Sequence, residues 1–253
     1  MTQTSSTTTP VKSRICLALD GLSAERAVVL TSDLAPHLHA VKIHDLYDAE
    51  GPKIIHLLKK AGARRVWVDA KLHDTKDTVS LRAQALVRNG ADIITVHAAG
   101  EIPMMRAAVE ATFNRDGDIL AEIYAITVLT SLDEHEIERI YGEDRTREQI
   151  VHEFALMAKE AGVKTVVCSA QEVGMLWQSL ELAGMDFVVP GTRSAGVALG
   201  QQKRSGTPAQ AMADGATFLV AGSQVTKAED LVAAFKAFAE EAGMVIPDIV
   251  LSD

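Results

Sequence analysis

Short apolar runs alternate along the chain with longer segments in which apolar residues recur at helical spacing. The runs at 15–19, 40–43, 65–70, 93–97, 120–127, 165–168, 187–189 and 218–221 read as strands, because each is brief and largely apolar. The intervening segments 24–35, 51–61, 78–89, 103–113, 133–141 with 148–161, 170–183, 208–214 and 228–243 read as helices. Gly62, Gly90, Gly162, Gly184 and Gly215 each stand just past one of them, where a helix-terminating glycine is placed. Eight strand-plus-helix units in 253 residues predict an α/β fold, a single closed (β/α)8 barrel over 15–253. An open doubly wound sheet is the rival architecture. It calls for a glycine-rich dinucleotide loop after the first strand, and Asp20-Gly21-Leu22-Ser23 is not one. Residues 1–14, Ser/Thr-rich and lacking an apolar signal core, read as a disordered tail.

Composition narrows the partners. With 25 Lys and Arg against 34 Asp and Glu the net charge is −9, and no basic block occurs, so neither nucleic acid nor an anionic membrane is expected as a partner. A local cationic pocket for an anionic metabolite stays open. No apolar run reaches the roughly 18 residues of a membrane span. Cys16 and Cys168 both fall inside apolar strand runs, which predicts buried free thiols and fits a reducing cytoplasm.

The chemistry concentrates at strand ends. Asp69-Ala70-Lys71-Leu72-His73-Asp74 follows the run 65–68, and side-chain alternation in an extended chain places Trp67, Asp69 and Lys71 on one face. In a barrel, the face carrying the strand-to-helix loops also collects Asp20, Lys42, His97, Thr127, Thr130, Ser131 and the segment Pro190-Gly191-Thr192-Arg193. Taken singly, each has an ordinary reading: D-x-K-x-x-D can be a surface ion pair, His97 a satisfied strand-end histidine, Thr127 a backbone ligand. Together, lysines alternating with aspartates keep one another charged and fixed in place. Such a lysine can stabilise and then protonate a carbanion, and an opposing aspartate disfavours a substrate carboxylate. Decarboxylation with protonation at carbon is the implied reaction. The loop from Pro190, then Gln201-Gln202-Lys203-Arg204 and Gly222-Ser223 before Thr226-Lys227, lie where barrels bind phosphate, after strands seven and eight. The segment 193–206 has the length and glycines of a lid.

These motifs resemble the orotidine 5′-monophosphate decarboxylase family from Ile15 to about Asp230. The resemblance rests on Leu19-Asp20, Lys42, Asp69-Ala-Lys71-Leu-His-Asp74-Thr75 with Thr78, Val96-His97-Ala98, Thr127-Val-Leu-Thr130-Ser131, Pro190-Gly-Thr-Arg193, Gln202-Lys-Arg204 and Thr207-Pro208. It implies a (β/α)8 homodimer that needs neither cofactor nor metal. Lys71 is then the proton donor to pyrimidine C6, Asp69 lies beside the departing carboxylate, and Lys42 holds both. Asp74 and Thr75 are implied to reach the neighbouring subunit's site, Asp20 and Lys42 to meet the ribose, and Thr130 and Ser131 the pyrimidine. Arg193, Gln202 and Gly222 fall at the phosphate end, and Thr78 and Ser223 complete the set of substrate-binding candidates.

Two positions depart from the family. An arginine normally follows Gly222 and clasps the phosphate; this chain has Ser223 and Gln224. Loss of one charge-assisted contact weakens binding by roughly 1.5 to 3 kcal/mol unless another group substitutes, Arg193 and Arg204 being the candidates. His44 stands where a glycine commonly follows the Lys-Ile pair, which predicts a narrower site. Two alternatives therefore accompany the decarboxylase reading. One is a magnesium-dependent sugar-phosphate enzyme of related type, disfavoured by Lys42 where such relatives carry a metal-binding acid. The other is a divergent or non-catalytic barrel with a changed ligand.

Overall fold

A computed structural model describes residues 13–194, 205–246 and 249. Eight parallel strands close into a barrel in sequence order: β1 (Ile15–Ala18), β2 (Ala40–Ile43), β3 (Val66–Leu72), β4 (Ile93–His97), β5 (Glu122–Ile126), β6 (Thr165–Val167), β7 (Asp186–Val189) and β8 (Phe218–Ala221), with β8 pairing back onto β1. Helices α1 (Ala24–Leu34), α2 (Asp45–Glu50), α3 (Lys53–Lys60), α4 (Lys76–Arg88), α5 (Glu101–Glu110), α6 (Glu134–Tyr141), α7 (Arg147–Glu160), α8 (Val173–Gln178), α9 (Pro208–Ala213), α10 (Ser223–Thr226) and α11 (Leu231–Glu241) fill the connections. The barrel expectation therefore holds. The candidate tail lies largely outside the described residues, as does most of the candidate lid.

Strand alternation sorts the core into two compartments. Inside the barrel, Cys16, Ala18, Ala40, Trp67, Ile93, Tyr124, Ile126, Val167, Val188 and Val220 form one apolar cluster. Between the strands and the helices, a larger layer gathers Leu17, Leu19, Val41, Ile43, Val66 and Val68 with the inward faces of the helices. Trp67 and Tyr124 meet edge to face with ring centroids 5.2 Å apart, and the Trp67 indole N–H donates to Thr95 Oγ1, so the bulkiest inner side chain leaves no orphaned donor. This packed interior is a floor, and the functional groups sit above it.

Helix starts are fixed by side-chain caps. Ser23, Thr75, Asp133, Thr146, Thr207 and Asp230 each accept from a backbone N–H in the first turn of the following helix. At α6 and α7 the bond is reciprocal, through Glu136 and Gln149. At the opposite end of the barrel Arg14 donates to Thr217 O, and Arg65 pairs with Glu122 at 3.0 Å.

Several boundaries differ from those read in the sequence. The segment 170–183 is a helix only over Val173–Gln178, followed by a 3-10 turn at Leu180–Leu182. Residues 120 and 121 stay outside β5, because Leu120 N bonds back to Thr112 O beside an antiparallel bridge between Phe113 and Ile119. The short helices α2 and α10 fall in segments read as loops; at six and four residues neither has room for a helical period. Cys16 and Cys168 form no disulfide and are fully buried, and burial pushes the Cys16 thiol up to about 12, so Cys16 is not a reactive thiol.

Candidate active site

β3 carries the central device. Asp69 lies on the inward face above Trp67, and the strand then departs from regular pairing, its register against β4 shifting between Val68 and Leu72. Lys71 has φ of 45°, a left-handed conformation that a side-chain-bearing residue rarely adopts. Simple alternation therefore gave the correct face for Lys71 but not the geometry: a bulged, left-handed residue swings its chain back, and its Nζ lies 2.7 Å from Asp69 Oδ2. Backbone held in so sparsely populated a region persists where the surrounding structure enforces it, often at functional positions.

Lys42 extends the chain of charges. From β2 its Nζ sits 2.8 Å from Asp20 Oδ2 and 3.2 Å from Asp69 Oδ2, so one carboxylate oxygen of Asp69 is gripped by two ammonium groups. Burial by itself would depress the Lys42 ammonium, yet the charges of Asp69 and Asp20, with the hydrogen bonds to both, win and raise its pKa above the ordinary value. For Asp69 burial pushes upward, while Lys42, Lys71 and a hydrogen bond from Thr95 pull further down, so the carboxylate stays ionised. Asp20 is half-exposed and closes the row toward solvent.

These groups line a cavity of about 520 Å3 at the mouth of the barrel. Its floor is apolar, formed by Ala18, Trp67, Ile126, Val167 and Val220; Val128, Leu129, Thr130 and Ser131 form one side. Across from them lie Pro190, Gly191, Arg193, Gly222, Ser223, Thr226 and Lys227. Asp20, Lys42, Asp69, Lys71, Thr130, Ser131, Arg193, Gly222 and Ser223 are thus brought together as expected.

Others are not. Asp74 and Thr75 are exposed at the start of α4, where Asp74 Oδ1 accepts from Thr75 N and Thr75 caps the helix and donates to Thr78 Oγ1 at 3.0 Å; none of the three lines the cavity. Gln202 lies outside the described residues, as do Lys203 and Arg204. His44 does not narrow this site. It stands at the start of α2 and lines a second cavity with Tyr47, Asp48 and Arg82, which meets the first only at Asp69. His97 is also absent from the lining; its ring lies 5.7 Å from that of His73, and burial first, then His73 and Lys71, lower its pKa, so it is neutral at pH 7. The apolar floor was not read as part of the site. Its signal was the alternate inward positions of the strands, visible once the barrel is accepted.

An apolar-floored slot at the strand ends of a (β/α)8 barrel, with a Lys-Asp-Lys row across it, defines a barrel enzyme acting on a small anionic substrate. The chain belongs to the orotidine 5′-phosphate decarboxylase / HUMPS family, whose model matches residues 13–238. It is 39% identical over 243 residues to the orotidine 5′-phosphate decarboxylase of Moorella thermoacetica, covering 92% of this chain and 94% of that one. It is 40% identical over 199 residues to the protein of the same name from Streptococcus pneumoniae serotype 19F, with 78% and 82% covered. Among solved structures, an orotidine 5′-phosphate decarboxylase from Lactobacillus acidophilus superposes with a TM-score of 0.76 at 27% identity, over 91% of this chain and 99% of that one. An uncharacterized conserved protein from Geobacillus kaustophilus gives 0.73 at 31% identity, over 90% and 99%.

Proposed function

We propose that this protein is a cytoplasmic carboxy-lyase that converts orotidine 5′-monophosphate to uridine 5′-monophosphate and carbon dioxide. The observation that carries the reading is the Asp69 carboxylate held between Lys42 and Lys71 above an apolar floor. The relatives named above support the substrate. With the pyrimidine on the floor near Thr130 and Ser131, its carboxylate meets Asp69, and the like charges favour departure as carbon dioxide. The C6–carboxylate bond breaks and its electron pair stays on C6. Lys71 stabilises that pair through its ammonium charge and then donates a proton to C6, recovering one from water. Lys42 keeps Asp69 ionised and in place. Asp20 serves the ribose, while Arg193, Gly222 and Ser223 take the phosphate end, joined by Gln202 from outside the described residues.

A magnesium-centred reading finds no support in this arrangement. A divalent ion shared by Asp20 and Asp69 would occupy the place that the Lys42 ammonium already fills, at 2.8 and 3.2 Å from them. That lysine supports direct, metal-independent decarboxylation.

The exposed Asp74 and Thr75, with the partly exposed Thr78 beside them, fit a role across a subunit boundary, in a homodimer whose sites each borrow Asp74 and Thr75 from the other copy. Following the ultraviolet absorbance of orotidine 5′-monophosphate with purified protein, with and without chelator, tests the reaction. Chelator-resistant conversion is the expected result, and no conversion by folded protein would overturn it.

A further inference from the structure

The cavity carries an unbalanced charge. Among the described residues its lining holds four cations, Lys42, Lys71, Arg193 and Lys227, and two carboxylates, Asp20 and Asp69. Both carboxylates are engaged by Lys42, and Asp69 by Lys71 as well. An excess of two positive charges therefore remains at the other end, on a chain whose net charge is −9. A local excess against the overall sign calls for an anionic ligand group, and its size suits a phosphate monoester dianion.

Ser223 brings no charge to that end. Lys227 stands four residues later, and its backbone N–H donates to Ser223 O at 3.1 Å. Residues linked in this way share one face of a helical turn, so the Lys227 side chain rises on the same side as Ser223, and both line the cavity. Arg193 faces them from the loop after β7. One of its guanidinium nitrogens donates to Thr192 O at 2.9 Å, which fixes the head group and leaves further N–H donors of its five to serve a ligand. Among the described residues no carboxylate pairs with either cation.

We propose that Lys227, acting with Arg193, is the specificity-determining cation that binds the 5′-phosphate of the substrate in the space that Ser223 leaves open. The inference rests on the nucleotide reading given above. A flexible, exposed ammonium supplies a point charge without bidentate geometry, so the grip is salt-sensitive.

Calorimetric titration of the full-length protein with uridine 5′-monophosphate and with uridine reads the phosphate contribution as the ratio of the two dissociation constants. Lys227→Gln keeps much of the side-chain stem and removes the charge. The expected result is an about tenfold fall in the ratio, carried by the nucleotide alone, with uridine affinity unchanged and the ratio restored in Lys227→Arg. A wild-type protein that prefers the nucleotide, with a ratio unmoved in Lys227→Gln, would overturn the role of Lys227 and leave the nucleotide reading standing. A wild-type protein with no preference for the nucleotide over uridine would overturn both.

Discussion

Lys42→Met replaces a buried ammonium with an apolar group of similar length and leaves Asp69 with one cation in place of two. Lys42 and Asp69 are each 7% exposed, whereas the Asp20 side chain is 47% exposed and can return to water, so the cost falls on Asp69. Removing one partner of a buried ion pair costs about 3–5 kcal/mol in general, and the surviving Lys71 contact at 2.7 Å places this case lower, at about 2–3 kcal/mol. For a chain of this size that corresponds to a fall of about 5–10 °C in Tm. Lys42 helps to hold the Asp69 pKa below its ordinary 3.8, so the stability it adds is present above that pH and fades as pH falls through the lower, folded value. The gap between wild type and variant should therefore be widest near pH 7 and narrow below pH 3.8. Urea denaturation at fixed protein concentration, followed from pH 7 to pH 3, measures it. The double variant Lys42→Met/Asp69→Asn removes both charges and should recover at least half of the loss, a coupling that a cycle isolates. Equal stability of Lys42→Met and wild type at pH 7, or a double variant no better than the single one, would refute the reasoning.

Three further outcomes follow from the same geometry. His97 is partly buried with a lowered pKa, so the unfolded chain binds its proton first and stability must fall as pH drops below 6.5; His97→Gln should flatten that fall, read as the urea midpoint between pH 7 and pH 5. Ser223→Arg adds a bidentate cation at the proposed phosphate end and should lower KM for the nucleotide by about tenfold with little change in kcat, and an unchanged KM would place the phosphate elsewhere. Mixing inactive Lys71→Ala and Asp74→Ala proteins should restore about a quarter of wild-type activity, because random reassortment makes half the dimers hybrid, each with one intact site. Activity that stays at the level of the single variants would exclude shared sites.

The barrel could be read from the chain because the strands are short apolar runs and several helices stop just before a glycine such as Gly62 or Gly215, with φ of 101° and 104°. The charged row was equally visible, since Lys42, Asp69 and Lys71 stand at strand ends where barrel geometry brings them together. What escaped depends on tertiary contact. The left-handed backbone at Lys71 has no local signature, because it is imposed by pairing with β4 and not by the residue type. His44 follows Lys42 by only two positions yet serves another cavity, because α2 begins at once and turns it away. The inner strand residues, from Ala18 to Val220, look like ordinary core until closure of the barrel makes them the floor of a site. Asp74, Thr75 and Thr78, singled out in the sequence, do not line the cavity of the single chain.

The most direct test of the account is turnover of orotidine 5′-monophosphate by Lys71→Ala beside wild type, with carbon dioxide release and uridine 5′-monophosphate both quantified. Wild type should release one carbon dioxide per nucleotide formed, and the variant should lose at least about a thousandfold in kcat while remaining folded, in keeping with loss of both charge stabilisation and proton donation at C6. A Lys71→Ala protein that decarboxylates at a rate close to wild type would contradict the central assignment.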